Sequence, residues 1–437
     1  MSFAHDYDTP GLLAAAAPAA VERGPRSEVI ARGRYQMCLE LASGGMGSVC
    51  LALYRGVDGF ERVVALKRMH RELSCQTEYV QMFFDEAQLL ARIRHPAVCS
   101  LLDLGQLDGT YFMAMEYLEG ESLSSIRKAL INPRQRQLRN LPRIAARVIA
   151  RLAEGLHAVH EAQDDCTGKR LEAVHRDVTP PNLFVLHDGT VRLTDFGVAR
   201  AQGMRHRTHG RVIKGNVGYI APEQLTTSRT VDRRCDVWSL GVTLWELLTC
   251  RRLFDGAKMS AVVTAVVEQP IVAPSSINPH VPAALDAIVM RALERTPELR
   301  YQTARELALA LERLLAASGD SVPAADVAAW LEELFPGRAA ERRGLRALAR
   351  AMAETLPAPS NRPPAQEPAS VFDTQDTEPE MRDVHLVSTR RPPRRASQPM
   401  PPPSAAGTRA PPMRALIITV GVVLVLTISF LVMMWTQ

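Results

Sequence analysis

Three oxygen-bearing side chains stand out in the stretch 174–197, VHRDVTPPNLFVLHDGTVRLTDFG. Asp177 follows His175 and Arg176, Asn182 comes five residues later, and Asp195 precedes Phe196 and Gly197. Carried on adjacent loops, two carboxylates and an amide suit two Mg²⁺ ions and a hydroxyl that must give up a proton. Taken singly, each aspartate reads as a turn or cap residue; the spaced set points to chemistry. Upstream, Leu41–Val49 (LASGGMGSV) is a glycine-rich turn, with Gly47 placed 20 residues before Lys67. Glycines let backbone N–H groups approach phosphates closely. Lys67 ends the run VVALK and is either a solvated edge residue or a cation aimed at those phosphates. In the second case it needs an acidic partner, for which Asp85 and Glu86 are both placed.

The elements that must position these groups follow from periodicity. Leu183–Leu193 alternates around the turn HDGT, which predicts two short strands. Residues 83–96 predict a helix with Phe83, Leu90 and Ile93 on one face, stopped by Pro96. Residues 111–120 (YFMAMEYLEG) read as a strand ending in a glycine turn. Residues 141–161 carry Ile144, Val148, Leu152 and Leu156 at helical spacing, with His157 and His160 expected on the helix surface.

The order His-Arg-Asp, Asn, Asp-Phe-Gly, followed by Ala221-Pro222-Glu223, resembles the bacterial eukaryotic-like (Hanks-type) serine/threonine protein kinases over residues 35–316. The resemblance implies an α+β, bilobal fold with a β-rich N-lobe and a mainly helical C-lobe. It implies transfer of the γ-phosphate of ATP to Ser or Thr of proteins. On this pattern Glu86, not Asp85, holds Lys67, and Lys67 holds the α- and β-phosphates. Asn182 and Asp195 bind Mg²⁺, with Mn²⁺ as an alternative, and Asp177 accepts the hydroxyl proton. The nucleotide would meet Gly44, Gly45, Gly47, Val49, Ala65 and the backbone of Glu116 and Leu118, with Met115 guarding the adenine pocket. Phe196 and Gly197 complete the metal loop, Asp236 braces the catalytic-loop backbone, and Arg300 pairs with Glu223. Arg176 lies beneath the activation segment. There, Thr208 is the only hydroxyl side chain between Val198 and Asn216, ringed by Arg200, Arg205, Arg207 and Arg211. It is the expected site of autophosphorylation, in trans within a transient homodimer.

Three positions depart from the pattern. Ala42 replaces the first glycine, Thr179 stands where most such kinases have Lys, and Asn216 where they have Thr. Tyrosine kinases usually carry Ala and Arg between the catalytic Asp and Asn, whereas this chain has Val-Thr-Pro-Pro. The alternative is a nucleotide-binding pseudokinase acting as a membrane-tethered scaffold, against which Lys67, Glu86, Asp177, Asn182 and Asp195 all speak. A small-molecule phosphotransferase fits less well, because the Ala-Pro-Glu segment and Arg300 imply protein substrates.

The 437 residues are 46% hydrophobic and carry a formal charge of +5, too mild for a dedicated nucleic-acid binder, so no nucleic-acid partner is expected. Seven scattered cysteines without CxxC spacing read as free thiols of a reducing cytosol. Residues 1–34 are expected to be a mobile leader and 317–353 a helical extension packing on the larger lobe. Residues 354–414 hold 14 of the 30 prolines, first among acidic and then among basic residues, and are expected to form a disordered linker. Residues 415–435 carry no charge. A helix of that length spans about 31 Å, enough for a membrane core. The expectation is a single-pass, tail-anchored protein of the cell membrane with its kinase domain in the cytoplasm.

Overall fold

Alternating apolar residues from Tyr35 to Met69 make hairpins in the computed structural model, which describes residues 28–30, 34–107, 109–131, 140–196, 217–225, 231–319 and 321–354. Gly197, Thr208, Asn216 and everything after residue 354, including the expected linker and span, lie outside the described residues. Among the described residues no helix is long and apolar enough to cross a membrane.

The smaller lobe is a six-stranded antiparallel sheet of β1 (Glu28–Ile30), β2 (Tyr35–Ser43), β3 (Gly47–Arg55), β4 (Glu61–Met69), β5 (Leu101–Leu107) and β6 (Thr110–Glu116), in the order β1-β2-β3-β4-β6-β5. β1 lies ahead of the expected domain start near Tyr35, and its Glu28, Val29 and Ile30 pair with Met37, Gln36 and Tyr35. Three residues are too few to carry a period of their own. The register sets Lys67 opposite Val49 on one side and Met113 on the other. α1 (Thr77–Arg92) buries Phe83, Ala87 and Leu90, its face toward the sheet and the larger lobe.

In the larger lobe, β7 (Gly120–Ser122) leads into α2 (Leu123–Leu130), whose first turn is capped by the Ser122 hydroxyl accepting from the N–H of Ser125 at 3.1 Å. α3 (Leu141–His160) is the central helix. β8 (Leu183–Leu186) and β9 (Val191–Leu193) are the two strands that the alternation predicts, and they join β7 in a small sheet. Then come α4 (Arg234–Thr249), α5 (Met259–Glu268), α6 (Ala283–Ala292) and α7 (Ala304–Ala317). α4 is buried from Cys235 through Thr249, and it packs with α3 and α7 into one apolar core. Each fully buried Leu or Ile there, such as Ile149 or Leu152, contributes about 1.5–3 kcal/mol.

The extension forms α8 (Ala324–Leu334) and α9 (Arg338–Glu354). α8 inserts Val327, Trp330, Leu331 and Leu334 into the larger-lobe core. Its first turn sits on Gly189, where φ is +80° and a Cβ would come within 1.8 Å of the Ala324 carbonyl oxygen. The expected packing on the larger lobe holds for α8. α9 goes elsewhere: Leu345, Ala349 and Met352 pack beneath β2 and β3 of the smaller lobe.

Candidate active site

Lys67 projects from β4 into the space between the lobes, where its Nζ lies 2.7 Å from Glu86 Oε1 and 2.8 Å from Asp195 Oδ1. The ammonium is buried, at 7% exposure. Burial opposes its charge, but the Asp195 and Glu86 carboxylates outweigh burial and hold it protonated well above the ordinary lysine range. Glu86 sits above its ordinary value because burial exceeds the pull of Lys67. Asp85, the other candidate partner, faces outward and accepts from Gln81 at 2.8 Å, so the helical period separates the two acids.

The catalytic loop is braced from below. Asp236, fully buried on α4, accepts the backbone N–H groups of His175 and Arg176, both at 2.8 Å. Burial works against its charge, yet His160 and these N–H groups keep its carboxyl below the ordinary value. The brace holds strained backbone: Arg176 and Asp195 have φ of +62° and +51°, the left-handed region that non-glycine residues rarely adopt. Asn182 ends a turn of 3₁₀ helix (Pro180–Asn182), and its Nδ2 donates to the Asp177 carbonyl and to Asp177 Oδ2, each at 3.0 Å. Thr194 ties this loop to the strand that delivers Asp195, its N–H donating to the Asn182 carbonyl at 2.9 Å. The His175 ring lies 4.6 Å from that of Phe196, which is buried in the same core as Leu90 of α1.

The apolar part of the site is drawn from both lobes. Leu41, Val49 and Ala65 from the sheet share one buried cluster with Met115 and Leu118 of the interlobe hinge and with Phe184 of β8. Glu116 uses its side chain and N–H inside the protein, on Ser100 and Arg192, and its carbonyl accepts a long contact from the Cys99 thiol at 4.0 Å, which leaves the carbonyl as the group best able to meet a planar ring. Gly44 and Gly45 form the β2–β3 turn, and Gly45 has open space around it. Gly47 serves the sheet: a Cβ there would come 2.1 Å from the Arg68 carbonyl oxygen. Asn182 and Asp195 supply one amide and one carboxylate. Among the described residues no group of three or more His, Cys, Asp or Glu is placed to hold a metal, so a cation here needs phosphate oxygens and water to fill its shell.

Further out, Arg300 grips Glu223 with two parallel bonds of 2.6 and 2.7 Å, both side chains buried, and lies 5.0 Å from the centre of the Trp238 ring. Phosphate approach, a charged lysine, an oxygen pair for cations and the Asp177 carboxylate beside them make a site for phosphoryl transfer. The protein kinase domain family model matches residues 35–310. The chain belongs to the protein kinase family. Membership implies use of ATP and a divalent metal.

Tyrosine-protein kinase MasK of Myxococcus xanthus is 39% identical to this kinase over 303 residues, 69% of this chain and 46% of that one. Serine/threonine-protein kinase PrkC of Bacillus subtilis is 31% identical over 277 residues, 63% of this chain and 39% of that one. The matched part is less than half the length of either relative. The crystal structure of the PknI kinase domain of Mycobacterium tuberculosis is 25% identical, with a TM-score of 0.46, and covers 65% of this chain and 99% of that one.

Two residues of the kinase site escape sequence reasoning. Helical spacing puts His160 on the surface of α3; instead it is buried, with Nε2 placed 2.8 Å from Asp236 Oδ2. Its partner lies 76 residues away, which no local pattern reveals. His70, just past β4, places Nε2 at 2.7 Å from the Gly44 carbonyl and steadies the glycine turn. The seven cysteines are free thiols, as their spacing suggests.

Proposed function

We propose that this kinase is a bacterial serine/threonine protein kinase that transfers the γ-phosphate of ATP to protein hydroxyls while anchored to the cell membrane. The observation that carries the reading is Lys67 held between Glu86 and Asp195 at 2.7 and 2.8 Å, with Asp177 and Asn182 joined beside it. Lys67 carries a fixed positive charge toward the α- and β-phosphates, and Glu86 keeps it from rotating away. The slot of Leu41, Val49, Ala65, Met115, Leu118 and Phe184 takes the adenine and excludes water. Asp177 accepts the acceptor hydroxyl's proton as the new P–O bond forms and the bond from the γ-phosphorus to the β–γ bridging oxygen breaks, ADP being the leaving group, and Asn182 keeps the Asp177 carboxylate in place. Asn182 and Asp195 would hold divalent cations, Mg²⁺ by preference, which would supply neutralisation of phosphate charge. Thr179 replaces the lysine common at its position with a buried hydroxyl that has no partner among the described residues. The missing cation lowers transition-state stabilisation rather than binding.

Serine/threonine specificity is supported by Val178-Thr179-Pro180-Pro181 and by PrkC. MasK, named a tyrosine-protein kinase, makes tyrosine the competing acceptor. The full chain incubated with radiolabelled ATP and subjected to phosphoamino-acid analysis separates them: phosphothreonine is expected, with Thr208 among the mapped sites. Arg176 Nε, buried with no partner among the described residues, is available to a phosphate at that segment. Phosphotyrosine alone overturns the acceptor class, and unmodified Thr208 in active enzyme overturns that site.

For the anchor, the support is the uncharged run 415–435 with Arg409 and Arg414 before it, which sets the kinase on the cytoplasmic side. Deleting 415–437 should move the protein from the membrane pellet to the supernatant at high salt. Pelleting that persists removes the anchor.

A further inference from the structure

α9 has little apolar surface, yet its exposure pattern is helical and continuous. Arg338, Arg342, Leu345, Arg346, Ala349 and Met352 are turned inward, while Arg343, Ala347 and Arg350 on the other face are exposed. The inward stripe has two parts. Its first half carries an arginine at each turn, and these meet the acids of the chain segment that joins the lobes. Arg342 Nη2 lies 2.9 Å from Glu121 Oε1, Arg338 Nε lies 3.7 Å from the same oxygen, and Arg346 Nη1 donates to Glu119. The Arg342–Glu121 pair is buried, at 8% and 5% side-chain exposure. The second half is apolar. Leu345, Ala349 and Met352 join the cluster that contains Leu41, Val49, Ala65, Met115, Leu118 and Phe184. At the join, Cys38 Sγ of β2 lies 3.4 Å from the Ala349 carbonyl and 3.4 Å from the Gln36 carbonyl of its own strand, which share its one proton.

α9 therefore touches both the hinge and the strands that roof the adenine slot, and α8 roots it in the larger lobe. We infer that α9 is an interlobe strap that positions the hinge and the roof of the nucleotide slot, so that its docking and nucleotide binding favour one another. The inference rests on the kinase reading, because it needs a nucleotide in that slot. The physical reason is that Leu41, Val49 and Ala65, the residues that would face the ring, belong to the same buried cluster as Ala349. A helix that fixes their height and the hinge angle lowers the reorganisation needed on binding. Arg342, Glu121 and Ala349 are positioning residues and touch no reacting atom.

Two measurements on the full chain test it. Hydrogen exchange with and without the non-hydrolysable analogue AMP-PNP is expected to show slower exchange across 345–352 when the analogue is present, by about tenfold, with α8 unchanged. Arg342→Met is expected to raise the KM for ATP and the Kd for AMP-PNP by about tenfold, with kcat changed less. Arg342→Lys should recover most of the loss, and the outward-facing Arg343→Ala should match wild type. If Arg342→Met does not fold, the exchange experiment on wild type still decides. Nucleotide bound by wild type without protection of 345–352, or Arg342→Met with unchanged affinity, overturns the strap alone. Wild type that binds AMP-PNP but transfers no phosphate overturns the enzyme reading and leaves the strap to be judged by binding. Wild type that binds no nucleotide overturns both.

Discussion

Lys67→Met should reduce phosphate transfer by at least about 10²–10³-fold while leaving the protein folded. The side chain takes no part in the sheet ladder, whose β3–β4 and β4–β6 pairing is made by backbone groups. Methionine fills a similar volume. What is lost is the cation that sits 2.7 Å from Glu86 and 2.8 Å from Asp195. Removing one member of a buried charged group leaves the rest uncompensated and costs about 3–5 kcal/mol. Part of that cost is recovered, because a buried carboxyl without its partner takes up a proton.

This gives the variant a distinctive pH dependence. Glu86 already sits above its ordinary value of 4.5, burial being the main cause and Lys67 the opposing one. A carboxyl raised in the folded state contributes stability below its unfolded value and loses it as pH rises through the folded value. Without Lys67 the carboxyl rises further. The stability deficit of Lys67→Met relative to wild type should therefore be largest near neutral pH and shrink as pH falls toward 5. Thermal unfolding of both proteins across that range checks it. A deficit that grows in acid, or near-normal transfer by the variant, removes the assigned role of Lys67.

Asp236→Asn should be nearly as damaging, although Asp236 touches no substrate. Its two carboxylate oxygens accept the N–H groups of His175 and Arg176 at 2.8 Å each and face His160 at 2.8 Å. An asparagine at this site has one oxygen to accept and an amide that points a donor at a donor. The expected cost is about 2–4 kcal/mol of stability, since buried donors then lack an acceptor. The catalytic effect comes through geometry. Arg176 is held at a φ of +62°, and the N–H of Asp177 donates to the His175 Nδ1 at 3.3 Å, so relaxing this backbone moves the Asp177 carboxylate. A displacement of about 1 Å costs on the order of 10²-fold in rate. Asp236 lies below its ordinary value of 3.8 in the folded protein, despite burial, because of His160 and the loop N–H groups. Its stabilisation is present above that ordinary value and is lost as pH falls through the folded one. Wild type and Asp236→Asn should thus converge in stability below about pH 4, and His160→Phe should reproduce part of the neutral-pH deficit. A variant as active as wild type contradicts the bracing role.

Much of this site is legible in the chain because its parts are short and local. His175 to Gly197 places two carboxylates and an amide on one hairpin, and a period of two in Leu183–Leu193 is enough to draw that hairpin. Glu86 is distinguished from Asp85 by one step of a helical wheel, which turns one inward and the other to Gln81. The residues that escape are those whose meaning lies in a distant partner. His160 has the neighbours of a surface residue, and only the arrival of α4 beneath α3 makes it a buried donor to Asp236. α9 escapes for a different reason: few of its side chains are larger apolar groups, and half of its inward stripe is arginine. Ion pairs with Glu119 and Glu121 dock it, and charge complementarity between segments some 220 residues apart leaves no periodic trace.

The most direct test of the account is transfer of radiolabelled phosphate from ATP by the full chain, wild type beside Asp177→Asn. With Asp177 as the proposed base, the asparagine variant should bind AMP-PNP as wild type does and incorporate label about 10²–10⁴-fold more slowly. Equal incorporation by the two proteins, or none by a wild type that binds nucleotide, would contradict it.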